Sequence, residues 1–396
     1  MSKEVLGGYR RPMGDFSDYQ IGIYFNGLMG QTPEFPTAYK DIEALGQSKL
    51  DAELLGYVAG GAGDEHTQNE NVAALRRIGV WPRMLAGAAE RDLSIELFGH
   101  TYSSPLYLAP VGVLGACYDH GDLEVAKASA ATGVPMIAST LSADTMEDVR
   151  DAQGETPGFY QLYTPKDRDL AESLVRRAEA TGFAGIVVTL DTWINGWRPR
   201  DLDHAYIPML RGHCIANYTS DPRFAEMVGK DPVENINDSI AAWAGTFGNP
   251  LSWDDLEWLR SMTSLPLLLK GICHPEDARR ALDNGVDGII CSNHGGRQAN
   301  GGIAAIDCLP GVVEAAGDAP VLFDSGVRGG EDVVKALALG ARAVGLGRPY
   351  VWGLSAGGQA GVEHVIKAIL AEADLTMAVD GYQSIADLTP AALRRG

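Results

Sequence analysis

Short apolar runs alternate with longer stretches of helical spacing along most of this chain. From about residue 105 the runs fall at 106–109, 134–138, 159–163, 185–190, 265–270, 288–291, 321–324 and 343–346. Continuous apolar runs of this length, bounded by turn residues, suit strands buried on both faces of a parallel sheet. Between them, segments such as 170–181, 275–284 and 331–339 repeat apolar positions three and four apart, the spacing of one helix face. Pro275 and Glu331 suit first-turn positions, and Gly285 and Gly340 suit helix ends. Eight strands, each followed by a helix, predict an α/β fold: a closed (β/α)8 TIM barrel over residues 105–396. A doubly wound open sheet is the alternative. It usually has fewer strands and a G-x-G-x-x-G turn near its start, and no such turn follows the first run here.

Residues 1–104 read as a preface to the barrel within one unit of 1–396. Helical spacing covers 37–48, 52–58 and 65–77. The alternation Leu93-Ser94-Ile95-Glu96-Leu97, with a turn at Gly99, predicts a small hairpin capping the barrel bottom. The connection after the fourth strand is unusually long. Its extra segment, about 201–250, reads as a lid or binding element, with a peripheral helical insertion as the alternative.

Composition narrows the function. Hydrophobic content of 45% and charged content of 21% are globular values. A net charge of −20 with no basic tract argues against a nucleic-acid partner. The five cysteines lack C-x-x-C spacing, so neither a disulfide framework nor a metal site is expected. No apolar leader or membrane-spanning run is visible, which predicts a soluble cytoplasmic protein with no membrane partner.

Active sites of such barrels gather at the C-terminal ends of the strands. Each strand end here carries polar or glycine residues. They are Pro110-Val111-Gly112, Ser139, Gln161 and Tyr163, Thr189 and Asp191 with Arg198 beyond, Lys270, His294 and Arg297, Asp324 and Arg328, and Gly347-Arg348. In the loop Ser292-Asn293-His294-Gly295-Gly296-Arg297-Gln298 a base that titrates near neutrality stands three residues from a permanent cation. Asp191 suits holding His294 in one tautomer. Arg198 and Arg297 suit a small carboxylate. The glycines and arginines at 324–330 and 345–349 suit a phosphate. Lys270 has two readings, a Schiff-base nucleophile or a cation stabilising charge on a bound group. Tyr57 and Tyr163 carry little signal by themselves, because tyrosines in apolar contexts are commonly core residues.

The motif S-N-H-G-G-R-Q at 292–298 matches a known family. So do Tyr57-Val58-Ala59-Gly60-Gly61, the stretch from Asp191 to Asp201, Asp324-Ser325-Gly326 and the long segment after Arg200. From about Tyr57 to the C-terminus the chain resembles the FMN-dependent 2-hydroxy-acid oxidases and dehydrogenases, which include glycolate oxidase and lactate oxidase. Within that family it is most similar to lactate 2-monooxygenase. The resemblance implies FMN as cofactor and a small 2-hydroxy acid, L-lactate first, with O2 as substrates. His294 would be the base, held by Asp191. Arg297, Tyr57 and Arg198 would bind the carboxylate, and Tyr163 the 2-hydroxyl. Lys270 would stand near flavin N1 and O2, while Gln161, Thr189, Ser139 and the backbone of Pro110, Val111 and Gly112 would hold the ring. Asp324 would bind the ribityl chain, with Ser325 and Gly326 beside it, and Arg328, Gly347 and Arg348 the phosphate.

Departures also carry information. Many relatives have Pro-Thr-Ala where this chain has Pro110-Val111-Gly112, and Gly112 resembles lactate monooxygenase rather than the oxidases. Ser325 interrupts a common Asp-Gly-Gly, and Leu141 replaces an aromatic near the substrate. The resemblance together with Gly112 implies oxidative decarboxylation of lactate to acetate, CO2 and water. The alternatives are an oxidase releasing 2-oxo acid and H2O2, and a non-catalytic flavin- or phosphate-binding barrel. The resemblance also implies a homo-oligomer, tetramer or octamer.

Overall fold

The computed structural model describes residues 16–395, so the first fifteen residues of the expected preface lie outside it. Eight parallel strands form one sheet: β1 (Leu106–Leu108), β2 (Ile137–Ser139), β3 (Phe159–Leu162), β4 (Ile186–Thr189), β5 (Leu267–Lys270), β6 (Gly288–Cys291), β7 (Val321–Phe323) and β8 (Ala343–Leu346). The hydrogen-bonded order is β1-β8-β7-β6-β5-β4-β3-β2. A parallel bridge between Leu108 and Met136 draws the two ends of that order together. The sheet is therefore a nearly closed (β/α)8 barrel and not the open doubly wound alternative.

Every residue of the eight strands is buried, which explains why the runs are continuous rather than alternating. One set of side chains faces the surrounding helices, and the other fills the barrel. Tyr107, Ile137, Phe159, Val187, Leu268, Ile290, Leu322 and Ala343 form the inner apolar cluster. The hairpin Ile95–Leu97/His100–Tyr102 adds Ile95, Leu97 and Tyr102 to that same cluster. The Tyr102 hydroxyl bonds the carbonyl of Pro157, just before β3, so the hairpin plugs the N-terminal end as expected.

Side chains in a strand repeat every two residues. Two positions beyond the inner apolar residues stand Ser139, Gln161, Thr189, Lys270, Ser292, Asp324 and Gly345. The interior thus changes from apolar to polar within one side-chain layer, at the end where the active site is expected.

The preface wraps the outside with α1 (Asp18–Leu28), α2 (Tyr39–Gln47), α3 (Ala52–Ala59) and α4 (His66–Arg76). A buried ion pair, Arg91 Nη2 to Asp374 Oδ2 at 3.0 Å, ties it to the long C-terminal helix Arg348–Asp380, which kinks at Gly357 and Gly358. The segment after β4 is helical, with Pro199–His204, Pro208–Arg211, Ala216–Thr219, Pro222–Val228 and Ile236–Thr246. Part of it is anchored on the barrel wall. The buried Asn217 amide accepts from the Met146 N–H at 2.7 Å and donates to the carbonyls of Ser139 and Thr140 at 3.2 and 3.1 Å. Among the described residues no helix is long and apolar enough to cross a membrane.

Candidate active site

The C-terminal strand ends surround one cavity. Of the residues expected from sequence, Tyr57, Pro110, Val111, Gly112, Tyr163, Arg198, Lys270, His294, Arg297, Asp324, Ser325, Gly326, Arg328, Gly347 and Arg348 line it. Asp191 stands behind His294. Ser139, Gln161 and Thr189, in the same side-chain layer as Lys270 and Asp324, are buried and joined in a chain, Ser139 Oγ donating to Gln161 Oε1 at 3.2 Å and Gln161 Nε2 to Thr189 Oγ1 at 3.1 Å.

The loop after β4 brings Asp191 Oδ1 to 2.8 Å from His294 Nδ1, and Thr192 Oγ1 stands 3.1 Å from each of them. Gly271, directly after β5, is required for this approach. It has φ +107, and a Cβ there would lie 3.1 Å from the Asp191 side chain. Burial pushes the His294 imidazole below its ordinary value; Asp191 opposes this, and Lys270 and Arg297 reinforce it. Burial would raise the Asp191 carboxyl, but His294 and Lys270 bring it down to about 2. A carboxylate beside a neutral imidazole is the result at neutral pH, with Nδ1 engaged and Nε2 left for a substrate.

Tyr57, at the end of α3, sits between two guanidinium groups. Arg198 Cζ is 5.1 Å and Arg297 Cζ 5.2 Å from its ring centroid. Arg198 also pairs with Asp201, Nε to Oδ2 at 3.0 Å, so part of its charge is already balanced. Arg297 Nη1 donates to the carbonyls of Val58 and Gly60 at 3.3 and 2.5 Å. Burial and the neighbouring Arg198 lower the Arg297 guanidinium to about 10, so it stays charged at neutral pH. Tyr163 packs edge-on against Phe247, ring centroids 5.6 Å apart, and burial raises its phenol.

Lys270 Nζ donates to Ser292 Oγ at 3.0 Å and lies 3.6 Å from Asp324 Oδ2. Burial would lower this ammonium, but Asp324 and Asp191 outweigh it and raise the group above its ordinary value. A lysine held protonated is a poor Schiff-base nucleophile and a good stabiliser of negative charge.

Several residues of the site were not singled out from sequence. Thr192 adjoins Asp191 and Ser292 opens the 292–298 motif, so local position would have found both. Met209 and Phe247 line the cavity from the segment after β4, and no local pattern marks them. Gln298 ties two loops together, Nε2 donating to the carbonyls of Asp191 and Ile194 at 2.8 and 2.9 Å.

A model of the FMN-dependent dehydrogenase family matches residues 46–395. The chain is 40% identical over 367 residues to an L-lactate oxidase of Lysinibacillus sphaericus, covering 92% of this chain and 94% of the relative. It is likewise 40% identical over 356 residues to a peroxisomal (S)-2-hydroxy-acid oxidase of Oryza sativa, covering 89% and 94%. Among solved structures, a soluble variant of the membrane-associated (S)-mandelate dehydrogenase of Pseudomonas putida superposes with a TM-score of 0.81 at 34% identity, covering 91% of this chain and 99% of that one.

The cavity fits FMN on its own chemistry. Arg348 opens the C-terminal helix, and burial together with Arg297 and Arg328 pulls its guanidinium well below the ordinary range. A phosphate at this helix N-terminus would relieve that crowding of cations. A Cβ at Gly347 would meet no atom within 4 Å, so the turn has room beside it. Asp324 Oδ2 is buried and has no donor among the described residues closer than Lys270 Nζ, which leaves an acceptor for a ribityl hydroxyl. With the family model spanning residues 46–395 and the strand ends offering groups suited to a phosphate and a sugar hydroxyl, the chain belongs to the FMN-dependent dehydrogenase family and is an FMN-dependent oxidoreductase.

Proposed function

We propose that this enzyme oxidises a small L-2-hydroxy acid, L-lactate first, and decarboxylates the product with O2 to acetate, CO2 and water. The observation that carries the reading is the joint presence at one cavity of a carboxylate-backed histidine and the two arginines flanking Tyr57. Arg297, three residues beyond His294 on the same loop, would take the substrate carboxylate bidentately, with Arg198 and the Tyr57 hydroxyl beside it. Tyr163 would orient the 2-hydroxyl. His294 Nε2 would then remove a proton at the C2–OH centre, and Asp191 would stabilise the imidazolium so formed. When bound, FMN would supply the acceptor for the electron pair leaving C2 and the reactivity toward O2. Lys270 would hold a positive charge where negative charge accumulates. Ser139, Gln161, Thr189 and the backbone of Pro110 and Val111 would seat the ring. Asp324 would hold the ribityl chain, with Ser325 and Gly326 beside it, and Arg328, Gly347 and Arg348 the phosphate.

The fate of the 2-oxo acid depends on how long it stays. Leu141, Met209 and Phe247 give the cavity an apolar wall that suits a small aliphatic side chain. Gly112 preserves the shape of the cavity, since a Cβ there would lie 2.9 Å from Leu141 Cβ and force that wall to shift. Pyruvate retained in that cavity meets nascent peroxide and loses CO2, whereas pyruvate that leaves first makes the enzyme an oxidase releasing H2O2. Gly112→Ala is therefore expected to turn acetate from the main product into a minor one, with pyruvate and peroxide rising to match. The ratio of acetate to peroxide under air measures this. An unchanged ratio would remove Gly112 from the account, and a wild-type enzyme yielding pyruvate and peroxide alone would favour the oxidase reading.

The depressed His294 imidazole sets a pH dependence. Protonation inactivates the base, so kcat/KM should hold level around neutrality and fall one proton at a time on the acid side. The midpoint in the free enzyme should lie below the ordinary histidine value of 6.5. A midpoint above that value would mean that Asp191 outweighs burial.

A further inference from the structure

The backbone carrying His294 has an unusual shape. His294, Gly295 and Gly296 all lie in the left-handed region, with φ of 57°, 62° and 74°. Glycines adopt this readily, but His294 does so against a steric cost. The turn is held through its N–H groups. Asn293 N and Gly295 N both donate to Ser325 Oγ, at 3.3 and 3.0 Å, and His294 N donates to Ser292 Oγ at 3.1 Å. Both hydroxyls donate in turn to one oxygen, Asp324 Oδ1, at 2.9 Å from Ser325 and 2.5 Å from Ser292. Three successive N–H groups around the base are thus suspended from a single carboxylate on the neighbouring loop. The Ser325 hydroxyl has one proton and two lone pairs, and all three are used.

Ser325 itself lies at φ 94°. That conformation is strained for a residue with a Cβ, and a glycine would hold the same backbone without the strain. The side chain is buried among polar partners, so its hydroxyl supplies what offsets the strain. We propose that Ser325 is a positioning residue, whose hydroxyl clamps the two N–H groups flanking His294 and so aims the imidazole at the substrate. This rests on the reading of His294 as the base.

Two variants separate positioning from folding and from cofactor binding. Ser325→Ala and Ser325→Gly both delete the hydroxyl, but only alanine keeps a Cβ at the strained φ. Each would be purified with FMN beside wild type and His294→Gln. Four quantities would then be read: the anaerobic rate of flavin bleaching by L-lactate, FMN content, the Kd of oxalate, and the thermal midpoint. Bleaching should slow by about 10²-fold in both Ser325 variants, the size of effect that a small misplacement of a catalytic group produces. Oxalate binding should stay within about twofold of wild type, because Arg297, Arg198 and Tyr57 are untouched, and rates would be taken per bound FMN, since Ser325 adjoins the groups proposed for the ribityl chain. Ser325→Gly should melt higher than Ser325→Ala, since it alone releases the strain.

Bleaching by Ser325→Gly within about threefold of wild type would overturn the proposal, as would rate losses that merely follow FMN loss. Wild-type protein that fails to bleach with any L-2-hydroxy acid would overturn the functional reading as well, whereas a responsive wild type beside an equally fast Ser325→Gly would overturn the positioning role alone.

Discussion

Replacing His294 with glutamine is expected to slow anaerobic flavin bleaching by L-lactate by about 10²–10⁴-fold, the usual worth of a positioned general base. The protein should stay yellow. The groups proposed for the phosphate and ribityl chain, Arg328, Gly347, Arg348 and Asp324, lie on the two strand ends that follow the His294 loop and are unaltered. A glutamine amide can still donate to Asp191 Oδ1, now 2.8 Å from the imidazole, so the loop has reason to keep its place while the base is gone. Stopped-flow reduction of the FMN-loaded protein checks this. Bleaching near the wild-type rate would mean that His294 is not the base.

The next largest effect is expected at Arg297. Arg297→Lys keeps a charge but loses the planar fork that pairs with a carboxylate, together with the donations to the carbonyls of Val58 and Gly60 that fix the guanidinium. Loss of a buried, hydrogen-bonded charge pair costs about 2–4 kcal/mol, so kcat/KM for L-lactate should fall roughly 30- to 1000-fold, much of it as a raised KM. Arg198→Lys should cost less, because Asp201 already sits 3.0 Å from the Arg198 guanidinium and balances part of its charge. Steady-state kinetics on both variants decides the order. A larger loss at Arg198 would reverse the assignment of the main carboxylate anchor.

The barrel was legible because its strands are buried on both faces, so each left a continuous apolar run with a polar residue at its end. The inward layer above Phe159, Val187, Leu268 and Leu322 could be counted two residues at a time to Gln161, Thr189, Lys270 and Asp324. Register alone places those residues, and it placed His294 and Arg297 too, since one glycine-rich loop carries both. The residues that approach from far along the chain were harder. Tyr57 reaches the cavity from the preface, and nothing local distinguishes it from a core tyrosine; the family resemblance alone marked it. Met209 and Phe247 arrive from the segment after β4, whose course is set by tertiary anchors such as Asn217 on the wall of β2. The clamp around His294 was hidden for another reason. Ser325 looked like an interruption of a glycine pair, and its meaning depends on φ and on which N–H groups face it. Strand boundaries also differed slightly, most at β2, where a run expected at 134–138 pairs regularly only from Ile137.

Anaerobic addition of L-lactate to the FMN-loaded protein tests the central claim most directly. The visible flavin absorbance should bleach in wild type and not, on the same timescale, in His294→Gln, and admitting air should restore it with acetate as the main product. Flavin that stays oxidised in wild type with L-lactate and with other L-2-hydroxy acids would contradict the account.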